Sequence, residues 1–278
     1  MNMEHKAPEI GKSIRAGEVA TNYHEFGEGE PVILIHGSGP GVSAWSNWRL
    51  ALPYLGESLH AFAYDQIGFG YSELPSQHIY TLERWTNHLL GFMDAVGIEQ
   101  AHLVGNSMGA SVALAAAVTH PERVARLVLM GPMGVRFPIT EGLDAVWGYT
   151  PSVANMKRLI DIFAYNRALV TDELAEQRYR ASIRPGVQEA FSCMFPPPRQ
   201  SGVDGLAAYE DRLSEIQAPT LIIHGREDRV IPLSTSEKLL QVIPNAQLHV
   251  FGCCGHWTQL EHAATFNRLV RDFLTDEE

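Results

Sequence analysis

Residues 101–113, Ala-His-Leu-Val-Gly-Asn-Ser-Met-Gly-Ala-Ser-Val-Ala, read as strand, sharp turn and helix. A short apolar run, Leu103-Val104, stops at Gly105, and Ser107 follows, flanked by Gly105 and Gly109 in the spacing G-x-S-x-G. A helix-like stretch occupies residues 110–118. In that context the spacing predicts a strained turn with the Ser107 hydroxyl raised at the C-terminal edge of a sheet. The two glycines lack a Cβ, so strand and helix can approach closely. The same pattern arises by chance in Gly- and Ser-rich loops, but the strand before and the helix after decide against that.

Working outward, the same grammar recurs. Pro31-Val32-Ile33-Leu34-Ile35 is a continuous apolar run, as expected of a strand buried on both faces of a parallel sheet. Residues 60–64, 124–130, 220–225 and 247–251 read the same way, and residues 14–16 and 19–26 around Gly17-Glu18 read as an antiparallel hairpin. Residues 45–55, 81–96 and 260–274 read as helices, with Thr81 as an N-cap and Gly97 as a stop. Residues 1–12 read as a loose tail. Between residues 132 and 209 the β-like runs vanish and amphipathic stretches at 155–164 and 171–183 take over, rich in aromatics and methionine. The expected organisation is a first part of an α/β core (1–131), a helical insertion (132–209) and a second part of the core (210–278). The insertion is either a buried subdomain or a lid over the edge where Ser107 sits, and its position favours the lid.

Bulk composition narrows the function. The 278 residues carry a formal charge of −11, with 45% hydrophobic residues and no basic cluster. That is an ordinary globular composition and a poor match for nucleic acid or anionic membrane. Cys193, Cys253 and Cys254 form no disulfide framework and no zinc pattern. The first ten residues do not read as a secretory signal and no run reaches the ~18 apolar residues of a membrane span, so a cytoplasmic protein is expected.

A serine hydroxyl needs a base, and the base an orienting group. His256 follows the last expected strand on the glycine-rich loop 252–257. Asp228 and Glu227 both lie just past the preceding strand and compete for the third place. Ser107, the acid and His256 then follow in the chain order of α/β-hydrolases. His36-Gly37-Ser38-Gly39-Pro40-Gly41 fails the dinucleotide fingerprint, being G-x-G-x-G with a proline inside, and no P-loop occurs. It suits an oxyanion loop instead, with the Ser38 N–H as one donor and the Met108 N–H as the other. His36 then buttresses that loop, and His224 is a structural histidine at a strand end. No cluster of metal ligands stands out.

The stretches 36–48, 105–109 and 254–257 together resemble the meta-cleavage product hydrolases, carbon–carbon bond hydrolases of bacterial aromatic degradation. The resemblance runs from about residue 9 to 273. Residues 142–149 and 195–200 look like the branch acting on monocyclic ring-fission products. It implies an α/β-hydrolase fold, with a mostly parallel eight-stranded sheet and a helical lid. It favours Asp228 over Glu227. It also implies that Arg178 on the lid meets the oxo-acid end of the substrate, that Gly39, Asn47 and Asn106 line the polar pocket, that Trp257 sits beside the base and that Phe163 covers the substrate. The implied substrate is a small-molecule oxo-dienoate, 2-hydroxymuconic semialdehyde or a relative with a small substituent. It would be hydrolysed to 2-hydroxypenta-2,4-dienoate and a small carboxylic acid. No cofactor is implied, because the conjugated substrate is its own electron sink. The acid form of His256 gains a second task in protonating the leaving fragment. A homo-oligomer is implied too. Met108 and Met133 depart from the branch, where phenylalanine and a smaller residue are expected, and bulk at Met133 would restrict the released acid to a small one. An ordinary carboxylesterase and a non-catalytic ligand receptor are the rival readings. Haloalkane dehalogenases and epoxide hydrolases expect Asp where Ser107 stands.

Overall fold

The computed structural model describes residues 8–75 and 77–276. Eight strands form one sheet: β1 (Lys12–Ala16), β2 (Val19–Phe26), β3 (Pro31–Ile35), β4 (His60–Tyr64), β5 (Ala101–Asn106), β6 (Val124–Met130), β7 (Thr220–Gly225) and β8 (Ala246–Phe251). Their order is β1-β2-β4-β3-β5-β6-β7-β8. β1 and β2 join antiparallel, and β2 joins β4 antiparallel. All other pairings are parallel, so the sheet is the mostly parallel α/β type expected. The first seven residues of the expected loose tail lie outside the described residues.

Period-two alternation explains how the sheet is covered. In β3, Ile33 and Ile35 point into one core and Val32 and Leu34 into another. The first core holds Trp85, Leu89, Phe92 and Met93 of helix Leu82–Ala95, with helix Met108–Thr119. The second holds Trp48, Leu52 and Leu55 with Phe266, Val270 and Leu274 of helix Ala263–Thr275. With both faces buried, apolar runs rather than alternating ones are what the strands require.

Two helices differ from expectation. Residues 45–55 form two short helices, Ala44–Trp48 and Leu52–Leu55, rather than one. Pro53 has no N–H to continue the first helix and instead takes up the first turn of the second. The C-terminal helix is likewise split into Thr258–Glu261 and Ala263–Thr275, because His262 leaves helical geometry (φ −124°, ψ 37°) to stack on Phe251 at 4.9 Å.

The turn after β5 is strained and closely packed. Ser107 has φ 54° and ψ −115°, a conformation L-residues rarely adopt and that costs of order 1–3 kcal/mol. A Cβ on Gly105 would lie 2.6 Å from Ala110 Cα, and one on Gly109 2.3 Å from the Ile35 carbonyl oxygen. Between β6 and β7 the chain forms the helices Glu141–Trp147, Val153–Phe163, Asp172–Ser182, Val187–Met194 and Gln200–Leu206. Thr140, Ser152 and Thr171 cap the first three through their side-chain oxygens.

Gly109→Ala is therefore expected to destabilise the fold by at least about 1–3 kcal/mol, because backbone and not a flexible side chain must move. Urea unfolding followed by circular dichroism checks this, and an unchanged midpoint would contradict the contact.

Candidate active site

Three loops leave the C-terminal ends of β5, β7 and β8, bringing Ser107, Asp228 and His256 to one edge of the sheet. His256 Nδ1 and Asp228 Oδ2 are 2.6 Å apart, with both side chains almost wholly buried. The other oxygen, Oδ1, accepts the Val230 and Ile231 N–H groups at 2.7 and 3.0 Å. Burial alone would raise the Asp228 pKa. The facing charge of His256, with hydrogen bonds from His224 and His256, overcomes it and holds the carboxyl well below the usual range. Asp228 is thus an anion that fixes the imidazole with Nδ1 as the donor, leaving Nε2 free to act as a base. Glu227 is turned elsewhere, accepting from the Cys254 N–H at 2.9 Å and pairing with Arg226.

Ser107 is 2% exposed. Among the described residues its hydroxyl forms no hydrogen bond to His256, so the geometry unites acid and base but not yet base and nucleophile. Such contacts commonly tighten only when substrate is bound. The Met108 N–H opens its helix and has no intrahelical acceptor. Gly37 presses on the Ser107 side chain: a Cβ there would be 3.1 Å from Ser107 Cβ. This brings the loop of Ser38 and Gly39 beside the nucleophile. His36 braces the loop, with Nδ1 on the Gly37 carbonyl at 2.8 Å and Nε2 accepting the Gln66 N–H at 3.0 Å. Burial lowers its pKa to about 4, so it stays neutral.

One cavity is lined by Ser38, Gly39, Asn47, Asn106, Phe163, Arg178, His256 and Trp257, together with Met156 and Ile160 of the helical segment. Every polar-pocket residue expected from the sequence is there. Asn47 Nδ2 is buried without a partner, an uncompensated donor that a ligand oxygen would satisfy. Arg178 has no ion pair among the described residues. Its guanidinium lies 5.3 Å over the Trp257 ring, and burial lowers its pKa to about 10, leaving it charged at neutral pH. The Trp257 ring stacks on Phe163 at 4.9 Å. The cavity thus has an imidazole at one place and, at another, amide donors beside a guanidinium that bonds Ser46 Oγ at 3.5 Å but has no ion-pair partner among the described residues.

Residues 30–263 match the family model for the alpha/beta hydrolase fold. The chain is 59% identical over 276 residues to the 2-hydroxymuconate semialdehyde hydrolase of Pseudomonas sp. strain CF600, spanning 99% of this chain and 98% of that protein. It is 54% identical to the 2-hydroxy-6-oxo-2,4-heptadienoate hydrolase of Pseudomonas putida, spanning 97% and 98%. A solved meta-cleavage product hydrolase from Pseudomonas fluorescens IP01, a serine-to-alanine variant complexed with acetates, superposes with a TM-score of 0.94 at 58% identity, over 95% of this chain and 97% of that one. The chain belongs to the meta-cleavage product hydrolases. It is accordingly a carbon–carbon bond hydrolase on an α/β-hydrolase scaffold. Among the described residues, no helix is long and apolar enough to cross a membrane.

In this meta-cleavage product hydrolase, residues that sequence reasoning missed also bear on the candidate site. The His256 N–H donates to the Phe163 carbonyl at 2.7 Å, tying the base to the helical segment. Trp147 Nε1 donates to Ser38 Oγ at 3.0 Å, tying that segment to the oxyanion loop. Gly131, with φ 49°, lies so close that a Cβ would be 3.0 Å from His256 Nδ1. His224 does more than close a strand: it is fully buried, with Nε2 3.4 Å from Asp228 Oδ2 and Nδ1 2.7 Å from Ser236 Oγ. Only the Gly131-Pro132 break after a strand carried a hint of this in the sequence.

The Asp228 pKa gives a pH prediction with a definite sign. A carboxyl lowered on folding adds stability above its unfolded pKa of about 3.9, and loses it as pH falls through the folded value. Wild type should therefore exceed Asp228→Asn in Tm at pH 7, with the gap closing only below about pH 4. Paired thermal melts from pH 7 to 3 check this; a gap that widens on acidification would refute it.

Proposed function

We propose that Ser107, His256 and Asp228 act as nucleophile, base and orienting acid in the hydrolysis of a meta-ring-fission product, 2-hydroxymuconic semialdehyde or a 2-hydroxy-6-oxo-hexa-2,4-dienoate with a small substituent. One observation carries this reading: a single cavity holds both the Asp228-oriented base and the unpaired Arg178 cation. An ordinary esterase has no need of the second. The Arg178 guanidinium and the amides of Asn47 and Asn106 hold the oxo-acid end. Phe163 and the rest of segment 132–209 act as a lid that excludes water, with Trp257 beside the base.

The sequence of steps follows from that placement. The proton of the 2-hydroxyl moves along the conjugated chain to the carbon beside the distal carbonyl, giving a ketone. His256 takes the proton of Ser107, or of a water held there, and a C–O bond forms at the distal carbonyl carbon. The Ser38 and Met108 N–H groups receive the developing oxyanion. Collapse breaks the C–C bond, and its electron pair runs back through the chain to the 2-oxygen. His256 returns its proton to that fragment, which leaves as 2-hydroxypenta-2,4-dienoate. Where Ser107 was the nucleophile, water then releases the acyl group as a small carboxylic acid. No cofactor enters these steps. Met133, buried with its N–H on the Ser107 carbonyl at 3.2 Å, limits the size of that acid. The names of the relatives, a semialdehyde and a heptadienoate hydrolase, support a small group. We also propose a cytoplasmic homo-oligomer. The family resemblance supports it, and a monomer mass in light scattering would overturn the oligomer.

The yellow colour of ring-fission products supplies the test. The protein should bleach it, and persistent colour with folded protein overturns the reading. Ser107→Ala should keep the wild-type Tm and lose at least ~10³ of the rate, as for other triad members. Formyl- and acetyl-releasing substrates should outpace a benzoyl-releasing one, and Met133→Ala should narrow that difference. A wild-type preference for the benzoyl substrate would remove the role given to Met133.

A further inference from the structure

A second cavity lies on the far side of Arg178. Its volume is about 210 Å³. It lies between the helix Asp172–Ser182 and the segment 41–49, with Arg49, Arg178 and Arg184 in its wall. Arg178 lines both cavities, which is why its guanidinium is deep in the protein yet keeps accessible surface. Arg49 is held by the Ser46 carbonyl at 2.7 Å, and Arg184 by the Gly70 carbonyl at 2.6 Å and the face of Tyr71 at 3.8 Å. None of these three arginines forms an ion pair among the described residues. Glu9 is the one carboxylate residue in the wall. Beyond Arg184 an open cleft leads outward, carrying Glu173 and Glu176, the latter paired with Arg180 at 2.5 Å.

Three cations in one wall, two of them fixed by backbone carbonyls, in a protein of net charge −11, need an explanation. A carboxylate-bearing substrate is repelled by that overall charge, and a cleft of opposite sign lined by low-dielectric walls offsets the repulsion locally. We propose that Arg49 and Arg184 form an anion vestibule that draws the carboxylate end of the substrate to Arg178 and lets the dienoate product leave the same way. This rests on the ring-fission reading above. Arg178 lies between the two cavities, so a carboxylate moving from the outer one to the inner one has arginine partners along the way.

The experiment compares wild type with the Arg49→Gln/Arg184→Gln and Arg49→Lys/Arg184→Lys double variants, using a yellow ring-fission product from low to high NaCl. Wild-type kcat/KM should fall as salt rises. The Gln variant should be lower by about 5- to 20-fold at low salt and nearly flat with salt, while the Lys variant keeps the wild-type slope. The single-turnover cleavage rate of bound substrate should be unchanged in both. Equal losses in the Gln and Lys variants, with a lowered Tm, would mean that the arginines only hold the helix in place, and would overturn the proposal. A Gln variant that retains the wild-type salt slope would overturn it too. Failure of wild type itself to bleach the substrate would instead defeat the ring-fission reading, so the two failures are distinguishable.

Discussion

The buried charge of Asp228 is the constraint around which the catalytic edge is arranged. A carboxylate with 1% of its side chain exposed is tolerable only if its oxygens are fully engaged. Two backbone N–H groups occupy one oxygen and two imidazoles face the other. Each of those partners has its own requirement. His224 needs Ser236 and the Ile231 carbonyl, and His256 needs the Phe163 carbonyl and a neighbour at residue 131 without a side chain. The ends of β6, β7 and β8 and a helix of the insertion are thereby fastened to a single negative charge. Removing one partner leaves that charge under-satisfied, which is why a buried ion pair resists piecemeal change.

The strained turn at Ser107 stands on a different footing. Its backbone conformation is unfavourable by itself, and it is held by close packing of β5, β3 and the following helix, where Gly105 and Gly109 leave no space for a Cβ. Packing on a rigid sheet sets Ser107, whereas electrostatics sets His256. The two systems are joined by residues 130–133, which bond the Ser107 backbone and pack on His256, while among the described residues no hydrogen bond links the Ser107 and His256 side chains.

Much of this was legible in the sequence because it is written locally. Apolar runs give the limits of β3, β4, β6 and β7 residue for residue, since strands buried on both faces leave little room for polar residues. Thr81 and Gly97 mark a helix because capping uses chemistry within three or four residues. The splits at Pro53 and His262 were missed: the first is a local proline effect that the apolar period masked, the second a side-chain contact with a distant strand. The candidate site divides in the same way. Ser107 and His256 follow strand ends and could be found by position, whereas Asp228 was separated from Glu227 only by the family resemblance. The second cavity and the ties of Trp147 and Phe163 depend on how residues 132–209 fold back over the sheet, which no short stretch encodes.

The hydrogen bond from the His256 N–H to the Phe163 carbonyl has one more implication. In many enzymes a cover over the active site can be exchanged as an independent module, because only its side chains meet the substrate. Here the helical segment proposed as the cover supplies a main-chain acceptor to the loop that carries His256. Transplanting a foreign cover to change substrate preference would also re-aim the imidazole. Under the proposed mechanism selectivity and proton transfer would then change together, and altered preference would be more readily reached by single side-chain changes facing the cavity than by exchange of the whole segment.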